Sequence, residues 1–249
     1  MSSANQSVVT QIRKLDSAIS TFSRPFTRSG LLPIGIRMTS VKLANNDIVL
    51  ISPTPLDQAT EDGIKALGGT VKYLICPNVV HHLFIEDYKR KWPDAKVIGV
   101  KGLPQKHKSI SFDGVMGVDD PKTTVYGFEN DLAYRHFGAS RNQDTAYFHK
   151  DTKTLIQADL MFNLPPTEQY PGGGNFGFLT RFVHGFLKPE TATHKFFTKY
   201  AMSSDSRQMT EDVKFVADNW KIERIVPAHG NIIENGGEKA FREAYAWYF

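Results

Sequence analysis

Three short apolar runs, each ending in residues that stop a strand and can do chemistry, constrain this chain more than any other feature. Val71 to Cys76 is β-branched and aromatic, the pattern of a buried strand. Pro77 and Asn78 end it, because proline brings no N–H to a ladder and asparagine favours turns. His81 and His82 follow, so two adjacent imidazoles stand just beyond a strand end. Thr154-Leu-Ile-Gln runs into Ala158-Asp159 in the same way, and Arg224-Ile-Val runs into Pro227-Ala228-His229. A sheet gathers its strand ends along common edges, so His81, His82, Asp159 and His229 are expected to meet. Imidazoles with one carboxylate form a metal-ligand set. Gly230 permits a sharp turn that leaves His229 projecting from its strand. Asp159 is flanked by Leu155-Ile156 and Leu160-Met161-Phe162, and a carboxylate among such residues needs a cation, a metal or several donors. Taken singly, His229 also reads as a hydrogen-bonded structural histidine and Asp159 as a loop cap.

The rest of the chain supplies a frame for those strand ends. Ile34 to Leu43 alternates apolar and polar residues, Asp47 to Ile51 is a second apolar run, and Ala44-Asn45-Asn46 makes a hairpin turn between them. Helices are predicted over Gln58 to Leu67, capped by Gly68-Gly69, over Leu83 to Trp92, and over Thr210 to Trp220 with Thr210 as N-cap. Further helical stretches run from Phe178 to Phe186, Ala192 to Met202 and Glu238 to Tyr248. Lys96 to Val100 is a strand, Ile110 to Asp120 reads as irregular, and Leu132 to Phe137, Thr145 to His149 and Thr154 to Gln157 read as consecutive antiparallel strands. Ile222 to Val226 is the last strand. Strands alternating with helices in this way indicate an α/β layered fold with mixed sheets, whose core should include Leu50, Leu74, Ile75, Ile156, Ile225 and Val226. Residues 1–28 read as a partly ordered N-terminal arm that contributes little to the core, with Val8 to Phe22 also fitting an amphipathic helix; residues 29–249 read as a single domain.

With 249 residues, 41% of them hydrophobic, a sizeable core is available, and the net charge of +4 is spread without dense basic clusters. Nucleic acid is therefore not an expected partner. No apolar run approaches the roughly 18 residues of a membrane span, and none of the sequence indicates a membrane partner. One cysteine, Cys76, excludes an intramolecular disulfide and fits a reducing, cytoplasmic compartment, with a Ser/Thr-rich basic N-terminus that also suits organellar targeting. Asn163 to Gly177, with Pro165-Pro166 and Gly172-Gly173-Gly174, lacks the Gly-Lys-Ser/Thr of a nucleotide loop and reads as a loop over a site or a plain connector.

Pro227-Ala-His-Gly is similar to the Pro-Gly-His-Gly of the metallo-β-lactamase superfamily, and Thr154-Leu-Ile-Gln-Ala-Asp-Leu resembles its strand ending in Gly-Asp-Leu. The course from Ile34 to the C-terminus resembles a divergent branch of that superfamily, carried also by Arg37-Met-Thr, Ser52-Pro, Pro77-Asn, His81-His82 and Trp92-Pro-Asp-Ala95. The resemblance implies an αββα sandwich of two mixed sheets flanked by helices, with a metal site at one edge. The chain departs from the superfamily's His-x-His-x-Asp-His: in one register Pro77 and Val79 replace the first two histidines and His81 the aspartate, and in the other Asn78, Val80 and His82 fall there. The Gly-His-Thr motif stands as Gly138-Ala139-Ser140. All these losses fall on one side of a dinuclear site, so the resemblance implies one metal on His81, His82, Asp159 and His229, with Ala139 and Val79 or Val80 lining the vacated side. Zinc is the expected cofactor, with iron or manganese as alternatives. His229 and Asp159 would serve catalysis by holding an ion that activates water and polarises a carbonyl or phosphoryl oxygen of a small ester, thioester, lactone or phosphoester. His136 and His149 suit either support of the ligands or a structural role in their strands, Arg141 and Lys101 are candidates to meet substrate charge, and Lys101, Lys106, His107 and Lys108 could meet an anionic ligand, although the 101–108 stretch reads first as a solvated surface loop. The alternative is a degenerate pseudoenzyme or ligand-binding protein on the same fold, and sheet edges with aromatic helices would suit a homodimer.

Overall fold

The carboxylate of Asp16 decides the course of the first segment. Its Oδ1 accepts hydrogen bonds from the N–H groups of Ala18 and Ile19 at 2.9 and 2.8 Å, which reverses the chain between β1 (Gln11–Lys14) and β2 (Ile19–Arg24). The computed structural model describes residues 10–120 and 123–249. Residues 1–9, the start of the expected arm, lie outside them. From Gln11 onward the expectation of a peripheral arm or an amphipathic helix is overturned. A small hairpin, β3 (Thr27–Arg28) and β4 (Leu32–Pro33), follows, and β2 is then flanked on both sides by β1 and β5 (Ile36–Lys42). The segment Ile19-Ser-Thr-Phe-Ser suits that interior place because its small hydroxyl and β-branched side chains pack against strands rather than presenting one helical stripe. Ile19 and Phe22 are fully buried. Removal of residues 1–28 is accordingly expected to abolish soluble expression, since it strips two strands from a sheet and leaves Met38 and Val41 uncovered; a truncated chain that stays soluble with an unchanged Tm would contradict this.

The first sheet continues through β6 (Asp47–Ile51), β7 (Thr70–Ile75), β8 (Lys96–Val100) and β9 (Gly114–Met116). Its strand order is β1-β2-β5-β6-β7-β8-β9, antiparallel up to the β5–β6 hairpin and parallel from there. β9 falls within the stretch read as irregular; its three residues carry too little pattern to be recognised alone. The second sheet is β10 (Leu132–Phe137), β11 (Asp144–His149), β12 (Thr154–Gln157) and β13 (Arg224–Pro227), with β12 and β13 parallel and the other pairs antiparallel.

Alternation along the second sheet shows how the layers stack. Tyr147, Ile156 and Val226 face the first sheet and join its core, whereas Ala146, Phe148, Leu155 and Ile225 face outward onto helices. The helices are α1 (Gln58–Ala66), α2 (Ile85–Lys91), α3 (Leu103–Lys106), α4 (Phe178–Gly185), α5 (Ala192–Phe196), α6 (Ser206–Asn219) and α7 (Gly237–Ala244). Ile64 of α1 and Ile85 and Tyr88 of α2 pack into the first sheet's core, while Met209, Val213 and Val216 of α6 and Phe241 of α7 pack on the second. The result is an αββα sandwich of two mixed sheets. Leu50, Leu74, Ile75, Ile156, Ile225 and Val226 are all buried, as expected. Replacing Ile225 by Ala should cost about 2–5 kcal/mol in a denaturation experiment. α6 starts earlier than expected, because the carboxylate of Asp205 rather than Thr210 caps it, accepting from Arg207 and Gln208 N–H. The basic 101–108 loop contains the one-turn helix α3.

One buried histidine makes the fold sensitive to acid. His194 is fully buried, its Nε2 accepts the Phe162 N–H at 3.0 Å, and burial with a lesser push from Lys195 brings its pKa down to about 4. An imidazole depressed from an ordinary 6.5 binds fewer protons in the folded state, so its share of stability is complete above about pH 6.5 and is lost as pH falls towards 4. Protonation would set a new N–H against the Phe162 N–H. His194→Gln, whose side-chain oxygen can accept the same bond, should flatten the loss of Tm across this window; an unchanged pH dependence would contradict the assignment.

Candidate metal centre

Strand register places the site. β12 and β13 run parallel with Gln157 opposite Pro227, so Asp159 and His229, each two residues farther on, leave the second sheet side by side. β11 runs antiparallel to β12, which sets Asp144 at its start against Asp159. β6 and β7 end together across the sandwich, with Ser52 N–H bonded to Ile75 O at 2.9 Å. The chain beyond β7 then turns on Asn78, whose Oδ1 accepts the N–H groups of Val80 and His81, both at 2.9 Å. That turn aims His81 at Asp159 and His229.

Three donor atoms converge. His81 Nε2 and His229 Nε2 lie 3.2 Å apart, and Asp159 Oδ1 lies 3.4 and 3.3 Å from them. Each ring is held by its other nitrogen: His229 Nδ1–H donates to Gly35 O at 2.6 Å, and His81 Nδ1 is 2.6 Å from Ser52 Oγ. In the tautomer with Nδ1 protonated, each ring would offer its Nε2 lone pair to a shared cation. His229 also stacks on Phe162, with ring centroids 5.6 Å apart and planes 9° from parallel. Asp159 Oδ2 accepts from Asn78 Nδ2 at 2.8 Å and Asn142 Nδ2 at 2.9 Å, while Oδ1 is buried and has no hydrogen-bond donor. Such an orphaned carboxylate oxygen is costly unless a cation completes it. A tetrahedral zinc with bonds of ~2.0–2.1 Å has ligand edges of roughly 3.3–3.4 Å, which matches the three separations. His81, Asp159 and His229 therefore fit one metal ion.

Electrostatics follow the same geometry. Burial resists charge on His81, but the adjacent Asp159 carboxylate raises its pKa above the usual imidazole value. For His229 burial prevails and the pKa falls. Burial alone would raise the pKa of Asp159, yet the two imidazoles hold it well below the ordinary carboxylate range. Asp144, fully buried beside Asp159, is pushed up to about 7 by desolvation and by that neighbouring charge; its Oδ2 accepts from Asp159 N–H at 2.8 Å and Asn78 Nδ2 at 2.7 Å.

His82, expected among the ligands, is not in this cluster. Its Nδ1 is 2.7 Å from His107 Nε2, and His107 Nδ1 is 2.7 Å from Glu86 Oε1. The turn after Asn78 sends adjacent side chains in different directions, and His107 of the basic loop captures the second imidazole. Burial, with lesser opposition from the neighbouring His107 and Lys106 to a charge on its ring, brings the His82 pKa down to about 4. His136 bonds to Thr145 and His149 to Thr152, so neither supports the ligands.

The turn bearing His229 is clamped from the opposite sheet. Arg37 of β5 is buried, and its Nη1 donates to Pro227 O at 2.6 Å and Gly230 O at 2.9 Å. Its Nε donates to Ser23 Oγ at 3.2 Å and its Nη2 to Glu168 Oε2 at 3.2 Å. Gln169 spans the same turn, donating to Ala228 O and accepting Gly230 N–H. The 163–177 segment is thus a brace of the site. Gly230 adopts φ +92° and its Cα lies against the Asn163 backbone, where a Cβ would collide.

A cavity of about 320 Å³ opens onto His81, His82 and His229. Phe26, Ile34, Ile36 and Phe84 are among its walls, together with the cationic side chains of Arg28 and Lys106. Val79 and Val80 are among its lining residues, whereas Ala139 is packed in the outer core of the second sheet. Arg141 and Lys101 lie outside this lining.

Solved structures of the metallo-β-lactamase fold share this architecture. A metallo-β-lactamase from Pontibacter korlensis superposes with a TM-score of 0.62 at 13% identity, covering 96% of this chain and 98% of that one. The metallo-β-lactamase FIM-1 from Pseudomonas aeruginosa, in a mono-zinc form, gives 0.62 at 10% identity, covering 97% and 95%. A fragment of a diflavin flavoprotein from a Nostoc species gives 0.62 at 11% identity, covering 98% and 96%. No curated protein matches the chain. Residues 29–171, more than half of the chain, match the family model described as domain of unknown function DUF4336, and the chain belongs to that family, built on the metallo-β-lactamase fold.

Proposed function

We propose that this protein is a single-metal hydrolase acting on an ester, thioester, lactone or phosphoester with an apolar body and an anionic group. The observation that carries this reading is the unsatisfied Asp159 Oδ1, set 3.3–3.4 Å from two imidazole nitrogens. Zinc best suits two imidazoles and a carboxylate, and it would supply Lewis acidity that activates water near neutral pH and polarises the scissile oxygen. His81, Asp159 and His229 hold the ion; Ser52 and Gly35 fix the two rings, and Asn78 and Asn142 fix the carboxylate. The apolar walls receive the substrate's body, while Arg28 and Lys106 meet its negative charge. His82, kept neutral by burial and anchored through Nδ1 on His107, presents its other nitrogen for hydrogen bonding to substrate.

A second reading, a ligand-binding protein on the same fold, is favoured by the loss of imidazoles at Pro77, Val79 and Ala139. The two separate in one experiment. Protein purified without chelators or nickel resin is assayed against acyl esters, thioesters, lactones and phosphoesters, with Asp159→Ala as control. Turnover that requires Asp159 supports the hydrolase. Metal uptake with ligand binding but no turnover would replace it by the binding protein.

A further inference from the structure

α4 turns its apolar stripe away from the protein. Phe178, Leu179, Phe182 and Phe186 share one helical face and are 87, 74, 57 and 40% exposed. The opposite side is tied down through His184, whose Nε2–H donates to Pro33 O at 2.7 Å. An ordinary surface helix buries its apolar face, so this inversion calls for an occupant. The β3–β4 hairpin beneath it is also held by the segment leading into α4, through Tyr170 Oη–H donating to Phe26 O at 2.8 Å. The hairpin presents Leu31 at its tip, 85% exposed, and contributes Phe26 and Arg28 to the cavity that opens onto the metal centre.

Charge identifies the occupant. The sequence has no aspartate or glutamate between Asp16 and Asp47, nor between Glu168 and Glu190, yet Arg28, Arg181 and Lys188 lie in these stretches. Arg28 and Arg181 are exposed. A twofold contact with a second copy would set these acid-free stretches against themselves and bring like charges together. Aromatic and leucine side chains among cations, without acids, instead suit the boundary of an anionic bilayer. We propose that α4 and the β3–β4 tip form a docking surface for anionic membranes. This places the cavity mouth near the acyl region, and it holds whether or not the metal centre is hydrolytic.

The test is sedimentation of the full chain with phosphatidylcholine vesicles, with and without phosphatidylglycerol. Binding is expected to phosphatidylglycerol vesicles, to weaken with salt, and to be slight on phosphatidylcholine alone. The triple variant Phe178→Ser/Leu179→Ser/Phe182→Ser should lower partitioning at least about tenfold with unchanged circular dichroism. Arg28→Glu/Arg181→Glu should lose about tenfold or more on the anionic vesicles alone. As a check that replaces no aromatic residue, Leu179→Trp should shift its fluorescence to the blue on binding and be quenched by brominated lipid. The proposal is overturned by absence of binding to phosphatidylglycerol vesicles at low salt, or by triple-variant partitioning equal to that of the unmodified chain. A dimer that dissociates in the triple variant, without vesicle binding, would assign this face to a second copy instead.

Discussion

Replacing Arg37 by methionine is expected to lower the free energy of unfolding by about 3–5 kcal/mol, the scale for removing one partner of a buried charged network. Methionine restores part of the volume, so the loss comes chiefly from polar groups left behind. Pro227 O and Gly230 O lose their shared donor, and Glu168 loses its buried guanidinium partner. Burial lowers the Arg37 pKa to about 10, which still leaves the side chain charged at neutral pH. Arg37→Lys should recover part of the stability, since a single ammonium cannot serve the same fork of acceptors. Because the clamp joins β5 of one sheet to the turn after β13 of the other, weaker metal retention should accompany the lost stability. Urea denaturation within 1 kcal/mol of the unmodified protein, or unaltered metal retention, would contradict the clamp.

The largest effect on function is expected at the ligands themselves. Asp159→Ala or His229→Ala should reduce metal content from about one equivalent to near zero, since two remaining donors hold zinc poorly. Asp159→Ala also leaves the amide of Asn142 without its acceptor and that of Asn78 with Asp144 alone, at about 1–3 kcal/mol, and should still yield a folded protein. Asn78→Ala should lower metal affinity about 10–100-fold by releasing both the carboxylate and the turn that aims His81. His82→Ala should leave the metal content unchanged. Loss of metal in His82→Ala would return that residue to the ligand set.

Much of this was legible in the strand ends. Val71 to Cys76, Thr154 to Gln157 and Arg224 to Val226 carry their β pattern locally, and parallel or antiparallel register does the rest, so three of four expected ligands meet. The fourth failed because His82 is placed by His107, a partner 25 positions away in a loop whose charge alone was visible. As a strand stop, or as the place of a lost histidine, Asn78 gives no hint that one side chain there shapes the turn, orients Asp159 and contacts Asp144. An asparagine three residues before a candidate ligand was the available signal. Nothing local distinguishes Arg37 from any other basic residue on a strand; its carbonyl and carboxylate acceptors lie 131 to 193 residues farther on. The first strands carry a solvent-facing composition because Ser20, Thr21 and Ser23 are buried between neighbouring strands, where the Thr21 hydroxyl donates to Arg13 O and Ser23 Oγ accepts from Arg37.

The proposed metal ion lies on His81, Asp159 and His229. That assignment is tested most directly by X-ray absorption spectroscopy on protein purified without chelators or nickel and loaded with zinc. The expected result is one zinc per chain, bound by two imidazole nitrogens and one carboxylate oxygen at ~2.0–2.2 Å, with the imidazole signal altered in His229→Ala. A chain that retains no metal under any loading condition, or a zinc environment unchanged by His229→Ala, would contradict it.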